Sequence, residues 1–210
     1  MTVPSDEHRR SEIVRAASIL FAREGFRGTS MAMLAKAVGL SKPALYHYFS
    51  TKESILAAIL LDYALDLAEE VEAIGAKEGT AEARLRALIC RLVERYQVEA
   101  DVHRVQLNDL ERLDDAERRA VRDAERRVVR VMERLVAELA PEMDPLELPV
   151  AAMSVFGIVN WYPTWFKEAD GRLGRAEYGN WVADFVLAGL RSHQGTAHLA
   201  SGSDGREERS

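Results

Sequence analysis

Apolar residues recur at intervals of three and four along almost the whole chain, which is the spacing that places them on one face of an α-helix. The first such stripe comprises Ile13, Ala16, Ala17, Leu20 and Phe21. No segment shows sustained alternation of apolar and polar residues between turn signals, which is the pattern of a half-buried strand. The sequence therefore predicts an all-α protein.

Capping residues and helix breakers divide this pattern into about nine helices. Serine and threonine precede several of the stripes, and glycine or proline follows them. We predict helices over residues 7–24, 29–38, 51–74, 80–99, 102–113, 116–139, 146–168 and 175–193, with a very short third helix that Ser41 caps.

Positive charge is concentrated at the N-terminus, although the chain as a whole carries a net charge of −6. Residues 1–52 contain eight lysines and arginines against four acids, a net charge of +4, and the remainder carries −10. A cationic end can approach phosphate while an acidic remainder keeps the chain in solution. The distribution therefore permits a nucleic-acid partner that the total charge would argue against.

The sequence lacks the marks of a membrane or secreted protein. It contains no apolar run near the roughly 18 to 20 residues that span a bilayer, and its first ten residues carry charges where a signal peptide needs apolar residues. We therefore expect a cytoplasmic protein with no membrane partner. The single cysteine, Cys90, lies within an apolar helical pattern and is expected to be a core residue rather than a redox sensor.

Two short helical segments flank the turn Gly39-Leu40-Ser41, and their lengths are those of a helix-turn-helix. In such a unit one helix lies in the major groove of DNA while its neighbour braces it. Apolar side chains between the segments are expected to fix the angle between them: Met33, Leu34, Ala37, Val38, Leu40, Leu45 and Phe49.

The polar and small residues around this turn suit contact with a duplex. Lys42 supplies charge, Tyr46 and His47 offer hydrogen bonds to phosphate, and Ala44 can approach a thymine methyl group. Free amides at the start of a helix bind phosphate. We predict nine DNA-contacting residues: Thr29, Ser30, Ser41, Lys42, Pro43, Ala44, Tyr46, His47 and Lys52.

The same segment resembles the signature of the TetR family of transcriptional regulators over residues 10–60. The matching runs are Thr29-Ser30, Leu34-Ala35-Lys36-Ala37-Val38-Gly39-Leu40-Ser41, Leu45-Tyr46-His47-Tyr48-Phe49 and Lys52-Glu53. The resemblance implies a repressor that binds a palindromic operator as a homodimer and is released by a small-molecule inducer. Pro43 stands where many family members have glycine.

These features divide the chain into three parts. We assign residues 7–52 to a three-helix DNA-binding domain and residues 53–194 to a helical body that binds a ligand and forms the dimer. Residues 195–210 lack an apolar stripe, and we expect a disordered tail there.

Residues 156–166 hold five aromatic side chains in eleven positions, against an average of 7% for the chain. Pro163 lacks the amide that would bond to the carbonyl one turn earlier, so we expect the helix to be interrupted there. Helical spacing places Asn160 one turn from Thr164 and Trp161 one turn from Trp165. We predict that these four residues line a ligand pocket. The alternative is that the aromatics pack in the core or in a dimer interface of the eighth and ninth helices.

The segments 160–166, 170–173 and 188–190 resemble the branch of TetR repressors that respond to acyl-CoA thioesters in fatty-acid, phenylacetate or sterol-ring degradation. An acyl-CoA needs an apolar tunnel with polar or cationic groups at its mouth. The candidate polar partners are Arg104, Gln106, Asn108 and Arg172, each of which is alternatively an ordinary surface residue.

The sequence contains no glycine-rich phosphate loop, metal-ligand pairing or nucleophile motif, so we expect no enzyme activity, no cofactor and no metal. Two other functions stay open. One is a TetR-type repressor of drug efflux that senses a planar aromatic or cationic compound. The other is a DNA-binding protein that responds to no ligand.

Overall fold

The computed structural model of the protein describes residues 5–166 and 173–200, and the side chains of this part up to residue 192. Within these residues there are nine α-helices and no strand, which confirms the predicted all-α class. The helices are α1 (Asp6–Gly28), α2 (Met31–Ala37), α3 (Lys42–Tyr48), α4 (Lys52–Gly75), α5 (Ala81–Val98), α6 (Ala100–Asp109), α7 (Asp115–Leu139), α8 (Leu148–Trp165) and α9 (Arg175–Ala200). A 3₁₀ turn, Leu110–Arg112, follows α6.

Most helix ends fall where the capping residues predict them. Ser30, Ser41, Thr51 and Thr80 each accept a hydrogen bond from the backbone amide three residues later, at distances of 3.0–3.3 Å. Gly25 leaves the helical conformation with φ 74° and ψ 155°, so α1 continues as a separate short turn to Gly28. The sequence therefore located these boundaries correctly.

Three boundaries differ from the prediction. The predicted helix 102–113 is α6 followed by the 3₁₀ turn. The interruption expected at Pro163 takes the form of a helix end two residues later, because Phe166 adopts an extended conformation. Helix α9 continues to Ala200, so the part of the predicted disordered tail up to that residue is helical backbone. Residues 201–210 lie outside the described part.

The chain divides into two compact units. The first unit contains residues 5–68 and 99–126. Its core joins α1 and α4 to the two short helices through fully buried side chains, among which are Ile13, Leu34, Leu45 and Ile55. The helix-turn-helix therefore belongs to a larger unit than residues 7–52.

The second unit contains residues 69–98, 127–166 and 173–200. Helix α5 packs along α9 and α8, with Leu85, Leu88 and Leu92 fully buried. A Cβ atom on Gly179 would lie 3.1 Å from the Cα atom of Cys90, so this glycine lets α9 approach α5 closely. No helix in the described residues is both long and apolar enough to cross a membrane.

Candidate DNA-binding and ligand-binding sites

The turn between α2 and α3 is built on Gly39, which has φ 66°. The amide of Gly39 donates to the Lys36 carbonyl at 3.3 Å, and that of Leu40 donates to the Ala35 carbonyl at 2.9 Å. This pair of bonds is a Schellman motif, which ends a helix through a residue with positive φ. Glycine is therefore required by the backbone conformation that sets the angle between the two helices.

We expect Gly39→Ala to lower the free energy of unfolding by about 1–2 kcal/mol, because a Cβ atom disfavours the left-handed conformation. No heavy atom lies within 4 Å of the added Cβ, so the effect is conformational and not a clash. Gly28→Ala is the matched control, since that glycine has ordinary φ and its Cβ would make an ordinary contact. Urea unfolding of both variants tests this, and a Gly39→Ala protein as stable as the wild type would refute the requirement.

Helix α3 presents most of its predicted contact residues to solvent. Ser41, Lys42, Pro43 and His47 are exposed, and Tyr46 is 44% exposed although it is a large aromatic side chain. The Lys42 ammonium lies 5.9 Å from the centre of the Tyr46 ring. Ala44 is half-buried, and Ser30 is exposed at the start of α2.

The first turns of α1 hold the end of α3. The Tyr48 hydroxyl lies 3.3 Å from Asp6 Oδ1, and the Arg10 guanidinium lies 4.2 Å from the centre of the Phe49 ring. Phe49 is buried and Tyr48 is half-buried, so both serve packing, whereas the neighbouring Tyr46 remains free for a partner.

Two of the nine predicted DNA contacts make hydrogen bonds within the protein. The Thr29 side chain is 2% exposed, and its hydroxyl donates to the Gly25 carbonyl at 2.9 Å. The Lys52 ammonium donates to the carbonyls of Phe26 and Thr29 at 2.6 and 2.8 Å. Both side chains thus satisfy backbone carbonyls at the connection between α1 and α2. Met33, expected in the small core, is 36% exposed.

Helices α8 and α9 expose apolar side chains along one stripe each. On α8 the stripe contains Val150, Met153, Trp161 and Trp165, with the two tryptophans 67% and 55% exposed. On α9, Trp181 and Phe185 are 54% and 57% exposed and stack with ring centres 5.5 Å apart. We call these six residues the α8/α9 apolar face. Single exposed apolar residues are ordinary, but stripes containing three tryptophans are not typical of a protein surface in water.

The second unit also contains an open groove of about 1000 Å³. It is formed by the end of α4, one side of α5 and the start of α9, and its lining includes Ile74, Lys77, Cys90, Arg91, Glu94, Arg175 and Asn180. Its volume suits a drug-sized or larger ligand. No local sequence pattern indicates this groove, because its residues come from three different helices.

The acids that line the groove are engaged by nearby donors. Glu70 accepts hydrogen bonds from the Nε atom of Arg91 and, at 3.1 Å, from Arg95. Glu94 accepts from the same Arg91 at 2.8 Å. These pairs neutralise the carboxylates on the α4 and α5 sides.

At the α9 side, the Glu177 carboxylate accepts from the backbone amide of Gly174 at 2.6 Å. Lys77 has no carboxylate within 4.0 Å among the described residues, and it is exposed. Cys90 is half-buried in the groove wall, and burial raises the pKa of its thiol. Within the part of the chain that the structure describes, the groove therefore holds an exposed lysine without a paired carboxylate, and two of its three acids are paired with arginines.

The predicted ligand residues are distributed between the two units. Trp161 and Trp165 belong to the α8/α9 apolar face and do not line the groove. Thr164 is exposed and donates to the Trp161 carbonyl at 2.7 Å. The Asn160 Oδ1 atom is shielded from solvent and has no hydrogen-bond partner in the described residues. A shielded carbonyl oxygen without a donor is the kind of atom that a ligand or a water satisfies.

The other four candidates lie elsewhere. In the first unit, Gln106 donates to Glu125 at 2.7 Å and Asn108 to the Arg104 carbonyl at 2.9 Å. Arg104 and Asn108 line a cavity of about 300 Å³ in that unit. Arg172 lies outside the described residues.

Two family profiles match the chain. The profile described as "Bacterial regulatory proteins, tetR family" matches residues 13–59. The profile described as "Tetracyclin repressor-like, C-terminal domain" matches residues 78–190, which is more than half of the chain.

Curated relatives match mainly over part of their length. The repressor KstR2 of Rhodococcus jostii is 37% identical over 81 residues, which cover 39% of this chain and 40% of that protein. The repressor AcnR of Corynebacterium diphtheriae is 37% identical over 70 residues, covering 33% of this chain and 37% of its own. The matched segments thus span less than half of these relatives.

Solved structures match over most of the chain. A TetR-family transcriptional regulator from Bordetella parapertussis has a TM-score of 0.79 at 29% identity, covering 86% of this chain and 95% of that one. The structure of AibR in complex with isovaleryl coenzyme A and operator DNA has a TM-score of 0.72 at 28% identity, covering 87% and 97%.

Proposed function

Because the chain belongs to the tetR family of bacterial regulatory proteins, we propose that it represses transcription by binding a palindromic operator as a homodimer, and that an acyl-CoA thioester releases it. The observation that carries DNA binding is the α2–Gly39–α3 unit with Lys42, Tyr46 and His47 exposed together on α3. Relatives matched in sequence are transcriptional regulators, which favours a regulator over an enzyme.

The α8/α9 apolar face supports the homodimer. Exposure of tryptophans on two neighbouring helices is energetically unfavourable, since an interface can remove about 150–250 Å² of each side chain from water. A twofold axis would place the same face of a second copy against it, which is the usual symmetry of a soluble dimer. Gly157 and Gly189 have open space where a Cβ would stand, so a partner helix can approach closely there.

The groove and its charges support an anionic amphiphile as the inducer. Apolar residues such as Ile74 and Val98 share the lining with Lys77. A coenzyme A thioester combines an apolar acyl group with phosphates, so it can use both. AibR, which this chain resembles in fold and at 28% identity, was solved with isovaleryl coenzyme A and operator DNA.

The drug-efflux alternative requires an acid that is free to pair with a cationic compound. The groove acids Glu70 and Glu94 are already paired with arginines, and Glu177 accepts a bond at the start of α9. A cation bound there would have to share its carboxylate with a donor that is already present. The charge arrangement therefore favours the acyl-CoA over the cationic drug.

Selection from a pool of random duplexes tests the proposal and yields the operator sequence in the same experiment. We expect the protein to enrich an inverted repeat, and a panel of acyl-CoA thioesters of different chain length and ring content to include at least one that releases it. Failure to enrich any sequence would remove the DNA-binding function. Enrichment without release by any thioester would leave a regulator that responds to a different ligand or to none.

The single cysteine offers a direct test of the groove. Cys90 lines it, so a bound acyl-CoA is expected to slow alkylation of its thiol by N-ethylmaleimide at least fivefold, as followed by mass spectrometry. Lys77→Glu is expected to abolish this protection, because the new carboxylate repels the phosphates. Arg119 is an exposed cation of α7 outside the groove, so Arg119→Glu should retain the protection. An acyl-CoA that releases DNA without protecting Cys90 would place the inducer elsewhere.

A further inference from the structure

Arg91 of α5 lines the groove with part of its hydrogen-bonding capacity unused, and its side chain is 35% exposed. The Nε atom donates to Glu70 of α4, and the Nη1 atom donates to Glu94 at 2.8 Å. A guanidinium has five N–H donors, and the Nη2 atom of Arg91 has no hydrogen-bond partner among the described residues. Arg91 can therefore donate to an anion that enters the groove.

Of the two acids that hold Arg91, Glu94 is the weaker partner. Its side chain is 64% exposed, and it lies three residues from Arg91 on the same helix. An ion pair of this kind is weak, because water solvates both charges and the long side chains lose conformational freedom. Glu70 is 27% exposed, so its pairing with Arg91 is less screened. A bound anion would thus compete for Arg91 mainly with Glu70.

The Glu70 carboxylate can give up Arg91 without losing all of its partners. Its Oε2 atom accepts a hydrogen bond from Arg95 at 3.1 Å, and the Arg95 side chain is 11% exposed. Removing the sole partner of a shielded charge is strongly unfavourable, whereas a carboxylate with a second donor stays compensated. Transfer of Arg91 from Glu70 to an incoming anion is therefore energetically feasible.

Lys77 provides a second cation in the lining of the same groove. It follows Glu70 by seven residues at the end of α4, which corresponds to about 10 Å at a rise of about 1.5 Å per residue. Coenzyme A carries a diphosphate and a separate 3′-phosphate, so one molecule can present an anion to each cation. A guanidinium suits a phosphate especially well, since its parallel donors match two phosphate oxygens.

We propose that Arg91 binds a phosphate of the inducer, and that Glu70 competes with this phosphate for the guanidinium. Glu70 is then an internal anion that the inducer has to displace, and it lowers the affinity of the groove. This inference rests on the proposed function, in which the groove takes an anionic inducer, and it identifies the residue pair that sets the affinity.

Isothermal titration calorimetry with isovaleryl coenzyme A separates competition from a purely structural role. Glu70→Gln removes the competing charge, so we expect it to lower the Kd at least fivefold. Arg91→Met removes the phosphate contact and should raise the Kd at least tenfold. If the pair served only to hold α4 against α5, both substitutions would break it and shift the Kd in the same direction. That result would overturn the inference.

The double variant Glu70→Gln, Arg91→Met tests whether Glu70 acts through Arg91. Its Kd should equal that of Arg91→Met alone. If Glu70→Gln lowered the Kd equally in both backgrounds, Glu70 would repel the anion directly and the competition would be refuted. Glu72→Gln is the matched control, because Glu72 also lies on α4 and pairs with an arginine, Arg127 at 2.7 and 2.9 Å, but does not line the groove. This control should leave the Kd within about twofold of the wild type.

Inorganic pyrophosphate, as a second probe, separates the anion site from the identity of the inducer. If the wild type binds pyrophosphate with the opposite responses to Glu70→Gln and Arg91→Met, but binds no thioester, the proposed inducer fails and the anion site stands. If a thioester releases operator DNA but Glu70→Gln does not lower its Kd, the inference fails and the proposed function stands. Absence of binding of both probes at millimolar concentration would overturn the inference.

All variants are compared at a temperature where circular dichroism shows them folded. Should Arg91→Met not fold, the decrease in Kd expected for Glu70→Gln decides the inference by itself.

Discussion

Replacing Trp161 with glutamate is expected to leave a folded monomer that binds operator DNA at least 100-fold more weakly than the wild type. Trp161 is 67% exposed and belongs to the α8/α9 apolar face, so its loss should not disturb the core of the unit. An interface tryptophan contributes at least about 2 kcal/mol, and a twofold interface contains it twice. The total of about 4 kcal/mol corresponds to nearly a thousandfold weaker dimer.

Sedimentation velocity measures the dimer directly. Leu107→Glu is the control, because Leu107 is 60% exposed on α6 and lies outside the apolar face. This control should retain the dimer. A Trp161→Glu protein that is still a dimer but no longer responds to acyl-CoA would support instead the sequence-based interpretation of Trp161 as a ligand residue.

The double variant Lys42→Ala, Tyr46→Ala is expected to lose operator affinity by about two to three orders of magnitude. Both side chains are exposed on α3 and neither contributes to the core of the first unit. Two side chains in each of two protomers make four contacts, and a net of about 0.7–1 kcal/mol for each gives about 3–4 kcal/mol, which corresponds to two to three orders of magnitude. The dimer and its helical content should remain unchanged.

Arg119→Ala is the control for charge, since Arg119 is an exposed cation on α7 and not on the helix-turn-helix. Its operator affinity should stay within about twofold of the wild type. Wild-type affinity in the double variant would show that α3 does not meet the DNA in the way we propose.

Local sequence signals predicted the fold well because local interactions determine helix ends. Ser30, Ser41 and Thr51 cap the helices that follow them, and Gly39 adopts the positive φ that ends α2. These events involve residues within about four positions of one another, so a pattern in the sequence reports them directly.

Contacts between distant residues were harder to predict. Lys52 is predicted to contact phosphate because it follows the α3 helix, but the sequence does not indicate its hydrogen-bond partners within the protein, which are 23 and 26 residues away. The groove depends on Glu70 meeting Arg91, 21 positions later, on another helix. No periodic pattern encodes such pairs, since they arise only when the helices have packed.

The aromatic segment shows the same limit in another form. The high proportion of aromatic residues drew attention to Trp161 and Trp165. Helical spacing alone, however, does not indicate which side of α8 packs against the core. Tyr162, between them in sequence, is fully buried and donates to Gln97 at 3.0 Å, whereas the two tryptophans face solvent. Which stripe of a helix is buried depends on its neighbours, here α5 and, through the stacked rings of Tyr162 and Tyr178, α9.

Titration of an operator duplex with the wild-type protein tests the central claim, that two helix-turn-helix units joined through the α8/α9 apolar face read one palindrome. We predict that fluorescence anisotropy saturates at two protomers per duplex, and that a duplex carrying a single half-site binds at least 100-fold more weakly. Equal affinity for the single half-site, or saturation at one protomer per palindrome, would contradict the account.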